Sequence, residues 1–389
     1  MSGSASGALT ELLRRLVRIP SVNPMGRAEL LGQTGTGEAQ IGDFLEHYFR
    51  DLGVRFKRKS VSPGRDNLTA WYQAPKPGRA LLFDAHQDTV PTDGMVIDPF
   101  SANIEGGRLY GRGACDVKAG MAAMLTAFAR LVRERPIGSA SLVMVCTVDE
   151  EYTHTGSSAL AAELPVAIDL AVVAEPTSLN LINSHKGAVR WRVIARGKAC
   201  HSSAPDLGDN AIYRMSRVVQ ALRDQHKKLA AASGEAVATL SVGTIHGGAA
   251  ANIVPDSCVI ELDRRVLPGE HPDAVREAVI EGLRAQLPDD FAHLEFEPPW
   301  VCMPALRPEP SLSFMPVLQD AVERATGRRP TIGSVAFGTD AGPLGQAGIP
   351  SVVFGPGDIA QAHTKDEWVD LDQVHAAAEA YFAITQALA

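Results

Sequence analysis

Ala80-Leu81-Leu82-Phe83-Asp84-Ala85-His86-Gln87-Asp88-Thr89-Val90-Pro91 is an apolar strand that ends on polar side chains before a turn closed by proline. Strand residues at i and i+2 point the same way, so the Asp88 carboxylate is expected to lie behind the His86 ring. A metal-binding histidine uses such a partner, because its second ring nitrogen donates to an acceptor that fixes tautomer and orientation. A lone His-x-Asp is also what an ordinary polar strand end looks like. Its weight therefore depends on what the neighbouring strand ends carry.

They carry more of the same residue types. Asp116 lies in Tyr110-Gly111-Arg112-Gly113-Ala114-Cys115-Asp116-Val117-Lys118-Ala119-Gly120, ahead of a long apolar helix. Glu150 and Glu151 follow the run from Ser141 to Asp149, and Glu175 ends Leu170-Ala171-Val172-Val173-Ala174, stopped by Pro176. His363 follows Ser351-Val352-Val353-Phe354-Gly355-Pro356-Gly357 after a short loop. Open α/β sheets bind ligands beyond the carboxyl ends of their strands, so these side chains would converge on one crevice. Imidazole with several carboxylates suits divalent zinc, manganese or cobalt.

Helix-type and strand-type segments alternate up to about Asn183. Leu9 to Val17, Ala39 to Leu52 and Val117 to Arg133 have helical periodicity, with short apolar strands at Leu81–Phe83, Leu142–Cys146 and Leu170–Ala174. This predicts an α/β fold with a mainly parallel central sheet flanked by helices. From Gly187 the pattern changes to strand Ala188–Ala195, helix Asn210–Ala232, strands Val237–Val242 and Val259–Val266, helix Pro272–Gln286 and a short strand at His293–Phe296. That β-α-β-β-α-β order is ferredoxin-like. Helices at Leu312–Ala325 and Leu371–Leu388 then resume the first pattern. The reading is a discontinuous catalytic domain, 1–186 and 299–389, interrupted by an inserted α+β domain at 187–298.

At 389 residues the chain is long for one core, which favours two domains. With 45 Asp+Glu against 37 Lys+Arg and no long basic run, neither nucleic acid nor an anionic membrane surface is an expected partner. The five cysteines are scattered, with no Cys-x-x-Cys, so reduced thiols are expected. The first residues have neither a basic segment nor an apolar one of signal-peptide type, and no stretch is long enough to span a bilayer. A cytoplasmic protein is expected.

Taken in order, the motifs resemble those of the dinuclear metallopeptidase family that includes acetylornithine deacetylase, succinyl-diaminopimelate desuccinylase, aminoacylase and glutamate carboxypeptidase. They are His86-Gln87-Asp88-Thr89-Val90-Pro91, Gly111-Arg112-Gly113 to Gly120, Asp149-Glu150-Glu151, Glu175-Pro176-Thr177 and Gln361-Ala362-His363. The resemblance spans nearly the whole chain. It implies a zinc-peptidase-like catalytic domain and a lid or dimerisation domain. It also implies two divalent ions per subunit, most naturally Zn2+, with Co2+ or Mn2+ as alternatives. His86 and Glu175 would hold one ion, Glu151 and His363 the other, and Asp116 both, with Asp88 supporting His86. Glu150 would be the general base.

The same resemblance implies that His201 assists the oxyanion, across a homodimer in dimeric relatives. It gives Asn252 a substrate contact, Arg265 the grip on a substrate carboxylate through a planar fork, and Gly338 and Thr339 a place in a substrate loop. Strand alternation puts Arg264 on the opposite face from Arg265. The chain departs from its relatives at Ala85, usually glycine, and at Tyr152-Thr153-His154-Thr155-Gly156-Ser157. His154 is expected to be a surface or packing residue outside the metal set, and Cys115 a buried filler. The form of Gly355 to His363 favours deacylation of an N-acyl amino acid such as acetylornithine. A desuccinylase, or a carboxypeptidase acting on a short peptide, is the alternative, and a metal-free binding module is a distant one.

Overall fold

The computed structural model describes residues 2–31, 33, 35–76, 78–164, 167–232 and 237–389. Strand Ala80–His86 organises the larger unit, which comprises 1–184, 306–335 and 339–389. Leu81, Phe83 and Ala85 enter one hydrophobic cluster and Leu82 enters another, as period-two alternation requires of a strand covered on both faces. The same alternation places Leu82, Asp84 and His86 on one face.

Eight strands form the sheet, in the order Arg55–Ser62, Arg65–Tyr72, Ser141–Thr147, Ala80–His86, Leu170–Val173, Ser351–Val353, Leu181–His185, Ile332–Val335. The centre is parallel. Ala80–His86 pairs in parallel with both Ser141–Thr147 and Leu170–Val173, and Leu170–Val173 pairs in parallel with Ser351–Val353. Four carboxyl ends therefore open on one edge. They lead to His86, to Glu150 and Glu151, to Glu175, and to His363.

Helices Ser2–Arg18, Ala39–Asp51, Ala119–Glu134, Met315–Thr326 and Leu371–Ala387 supply most of the first cluster's partners. Met315–Thr326 begins later than its periodicity suggests because a 3-10 segment, Glu309–Phe314, takes the preceding residues. Helix Ala119–Glu134 sits hard against the sheet at Gly120, where a Cβ would lie 2.8 Å from the Ala174 Cβ. Among the described residues, no helix is long and apolar enough to cross a membrane.

The second unit comprises His185–Ala305 with Ala336–Gly338. Its sheet runs Thr239–Gly247, Ser257–Val266, Gly187–Arg196, Leu294–Phe296, with antiparallel neighbours, the strand order of a ferredoxin-like layer. Helices Ala211–Ala232 and Pro272–Gln286 share one cluster with Val189, Trp191 and Val193. On the other face Arg190 pairs with Asp263 at 2.7 Å and Arg196 with Glu295 at 2.7 Å. The unit ends at Ala305 rather than near residue 298 because Val301–Met303 adds a further pairing to Gly187–Arg196.

Candidate active site

At the open edge of the parallel strands, Asp116 stands between two imidazoles. Its Oδ1 is 3.1 Å from His86 Nε2 and its Oδ2 is 3.3 Å from His363 Nε2. His363 Nε2 is also 3.2 Å from Glu151 Oε2. His86, Asp116 and Glu151 bring ligand atoms within 4.8 Å of one another, and so do His86, Glu150 and Glu175. All five residues expected as metal ligands lie in this one cluster.

The ring of His86 is fixed from behind, but not as the sequence suggests. The acceptor for Nδ1 is the backbone carbonyl of Asp88 at 2.9 Å, whereas the Asp88 carboxylate is 3.7 Å away. The strand ends at His86, so strict alternation no longer governs Asp88. Its carboxylate instead accepts from the backbone N–H of Glu150 and of Glu151, both at 3.1 Å, and from Asn23 Nδ2 at 2.7 Å. Asp88 thus ties the His86 strand end to the turn that carries both glutamates. Asp149 extends the same frame by accepting from Arg65 at 2.6 Å and from Asn23 at 3.0 Å.

The turn bearing Asp116 has its own anchor, Glu367. This buried carboxylate accepts from Arg112 at 2.7 Å and from the backbone N–H of Gly113, Cys115 and Asp116 at 3.1, 2.9 and 3.1 Å. Gly113 enters the turn at φ +79, a left-handed conformation that suits glycine. A charge-assisted cradle of this kind holds a loop far better than neutral contacts.

The electrostatics are those of a cation site. Burial, reinforced by Glu175, pushes Glu150 well up, and burial with nearby Asp116 does the same for Glu175 and raises Glu151. Burial opposes the charge on Asp116, yet hydrogen bonds from His363 and His86 hold its carboxyl well below the usual range. His363 is pushed up to about 11 by its hydrogen bonds to Asp116 and Glu151. Glu175 Oε1 is buried without a hydrogen-bond partner among the described residues. Four carboxylates around two imidazoles, one with an orphaned oxygen, fit divalent cations, which would relieve the mutual repulsion.

Behind Glu150 lies a polar layer that sequence reasoning missed. Asp340 Oδ1 is 3.1 Å from His154 Nδ1 and accepts from Ser157 Oγ at 2.6 Å. Thr147 Oγ1 is 2.8 Å from Asp340 Oδ2 and 3.0 Å from Asp84 Oδ1. A hydroxyl has only one proton to donate. Burial beside Asp340 raises Asp84 well above its ordinary range. Asp340 keeps its charge against burial through His154. Thr147 Oγ1 thus lies between the two buried carboxylates, within hydrogen-bond distance of both. His154 is 7% exposed and lies in this layer, not on the surface. One signal was available in the sequence, namely an aspartate inside the otherwise apolar run Leu81 to Ala85.

His201, Asn252, Arg265 and Gly338 belong to the second unit, and Thr339 to the first. In the second unit, His201 forms a β-bridge with Ile253, and Ser202 N–H donates to the Asn252 carbonyl at 3.0 Å, so the His201 and Asn252 loops adjoin. His201 is exposed, with Nδ1 2.8 Å from Ser203 Oγ. Arg265 Nε is 2.9 Å from Asp263 Oδ1, whereas Arg264 is 2% exposed and pairs with Glu270 at 2.8 Å, on the opposite face as alternation requires. Gly338 leaves no room for a Cβ against Met303, and Thr339 is fully buried with Oγ1 accepting from Ala341 N–H at 3.1 Å.

Residues 82–387 match the profile of peptidase family M20/M25/M40. The chain is 31% identical to the acetylornithine deacetylase of Erwinia tasmaniensis over 370 residues, covering 92% of each protein. It is 34% identical to that of Myxococcus xanthus over 316 residues, covering 79% of this chain and 80% of the relative. Its structure resembles that of the aminopeptidase PepT from Bacillus cereus with a TM-score of 0.77, 24% identity and 98% coverage of both chains.

Proposed function

Because the chain belongs to peptidase family M20/M25/M40 and is a hydrolase acting on amide bonds, we propose that it removes the acyl group from an N-acyl amino acid, with acetylornithine the leading candidate. The observation that carries this reading is the cluster of His86, Asp116, Glu151, Glu175 and His363 with the Glu150 carboxylate beside it. His86 and Glu175 would hold one divalent ion and Glu151 and His363 the other. Asp116 would serve both, since its two oxygens face the two imidazoles. Zinc is the proposed metal, with cobalt or manganese able to replace it. Bound ions of this kind polarise a carbonyl and lower the pKa of water.

Within that setting Glu150 takes a proton from the attacking water as its oxygen adds to the acyl carbon. It then gives the proton to the amide nitrogen as the C–N bond breaks, leaving a carboxylate and a free amine. Asp88 and Glu367 keep the reacting groups in register by holding the two turns that bear them. Extensive similarity to acetylornithine deacetylases supports the deacylase over a peptidase. Hydrolysis of a panel of acetyl-, succinyl- and formyl-amino acids and dipeptides decides between them, with N-acetylornithine expected to be cleaved fastest. A clear preference for dipeptides, or for succinyl substrates, would overturn the acyl-group assignment. A cytoplasmic setting is part of this proposal, and five free cysteines support it.

The proposal extends to quaternary structure, with a homodimer formed through 187–298 and His201 of the partner subunit completing each site. Asn252 and Arg265 would contact substrate in the same assembly, and a donor brought in by closure needs little reorganisation during reaction. Mixing His201→Ala chains with Glu150→Gln chains should restore part of the activity, since one of the two sites in each mixed dimer is intact. A monomer in solution without such rescue would rule the shared site out.

A further inference from the structure

We propose that Arg65, clamped by Glu38, is a positioning residue that holds the turn at Asp149 and so aims the neighbouring Glu150 and Glu151. The inference rests on the reading of Glu150 as general base and Glu151 as a metal ligand. Strand Arg65–Tyr72 pairs antiparallel with Ser141–Thr147, with Leu68 opposite Cys146. The same register, carried past the end of Ser141–Thr147, sets Arg65 opposite Asp149. There Arg65 Nη1 donates to Asp149 Oδ1 at 2.6 Å. Asn67, on the same face of the strand as Arg65, accepts from Val148 N–H at 3.1 Å and donates to the Gly156 carbonyl at 2.8 Å. The start of one strand thus grips the loop that leaves the end of the other.

Asp149 needs that grip. Its φ of +64 is left-handed, a conformation that a non-glycine residue keeps only where its surroundings over-determine it. Its side chain accepts from Arg65, Asn23, Thr153 and Thr155. Its N–H donates to Glu38 Oε1 at 3.2 Å, and its carbonyl accepts from His154 N–H at 2.7 Å. Arg65 is the charged donor in that set. Glu38 locks it through a bidentate pair, Nε to Oε2 at 2.8 Å and Nη2 to Oε1 at 2.5 Å. Glu38 directly precedes helix Ala39–Asp51 yet makes no side-chain capping bond to it, its carboxylate being committed to Arg65 and the Asp149 N–H. Both side chains are buried, and Glu38, Asp88 and Asp149 all act on the one guanidinium charge. A planar fork between two carboxylates fixes orientation as well as charge. Because Glu150 and Glu151 follow Asp149 directly, rotation at Asp149 would move both carboxylates.

The test uses the full-length protein, zinc, and the N-acyl amino acid that the panel selects. Arg65→Lys keeps a positive charge but loses the fork. It should lower kcat about tenfold with KM near wild-type, and weaken one of the two zinc ions about tenfold in titration against a chromophoric chelator. Glu38→Gln keeps an acceptor for the Asp149 N–H but withdraws the charge that orients Arg65, and should give smaller losses of both kinds. Leu318→Ala is the control for stability alone, since it opens the core at helix Met315–Thr326. At a comparable loss of melting temperature it should leave kcat and zinc affinity near wild-type. Equal losses in Leu318→Ala and Arg65→Lys, or wild-type kcat and zinc affinity in Arg65→Lys, would overturn the proposal. Should Arg65→Lys not fold, Glu38→Gln is read in the same way. If Glu150→Gln retains near-wild-type turnover, the base assignment fails, and zinc affinity in Arg65→Lys still decides the present inference through Glu151. If Glu150→Gln is inactive while Arg65→Lys is normal in both measurements, only the present inference fails.

Discussion

Stripping divalent cations from the protein should abolish amide hydrolysis, and adding back zinc, cobalt or manganese should restore it. The expectation rests on the charge of the cluster more than on its shape. Glu150, Glu151, Glu175 and Asp116 meet within a few side-chain lengths, and burial pushes three of the four carboxyls upward. Two imidazoles cannot balance them, and Glu175 Oε1 has no donor among the described residues. Fully loaded protein should contain about two ions per chain, the number this donor set can serve. A second readout is independent of turnover. Ions that bind the folded state alone stabilise it by mass action, about 4 kcal/mol when present at a thousandfold excess over Kd. The melting temperature should therefore fall on chelation and recover with the metal. Hydrolysis that survives complete removal of metal would overturn the mechanism.

Most of the candidate site was legible because parallel strands bring their carboxyl ends to one edge. His86, Glu150, Glu151, Glu175 and His363 follow short apolar strands, whereas Asp116 lies in a turn ahead of a helix. The inserted unit was legible too, its element order visible in runs such as Ala188 to Ala195. What could not be read was the tertiary wiring behind those ends. The 255-residue separation between Arg112 and Glu367 leaves no trace in either motif. The edge hairpin Arg55–Ser62 with Arg65–Tyr72 was equally hidden, since Arg55 to Ser62 carries apolar side chains at Phe56 and Val61 alone and gives no strong core signal. Asp88 shows a subtler failure. Period-two reasoning holds along Leu82, Asp84 and His86 but stops where the strand stops, so the carboxylate turned to Glu150 N–H and Glu151 N–H. His154 was expected at the surface or in packing, and the structure settles it as packed, because Asp340, distant in sequence, lies against its ring.

Replacing Glu150 with glutamine should cut turnover on the order of a hundredfold or more, about 2.7 kcal/mol or more in activation free energy. Glutamine keeps the length and branching of the side chain and can still accept a hydrogen bond, but it cannot take the proton from water. Metal content should persist, because the ligand donors Glu151, Glu175, Asp116, His86 and His363 are untouched. Glu151→Ala makes the contrast. Its Oε2 lies 3.2 Å from His363 Nε2, so its loss removes a ligand-type group as well as charge. That variant should lose affinity for one ion together with activity, and excess metal should recover part of the rate. No concentration of metal should rescue Glu150→Gln. Adjacent residues with the same side chain are thus expected to fail for different reasons, one by losing a base and one by losing a metal. Metal content measured beside turnover separates them. Near-wild-type turnover in Glu150→Gln would move the base elsewhere in the site.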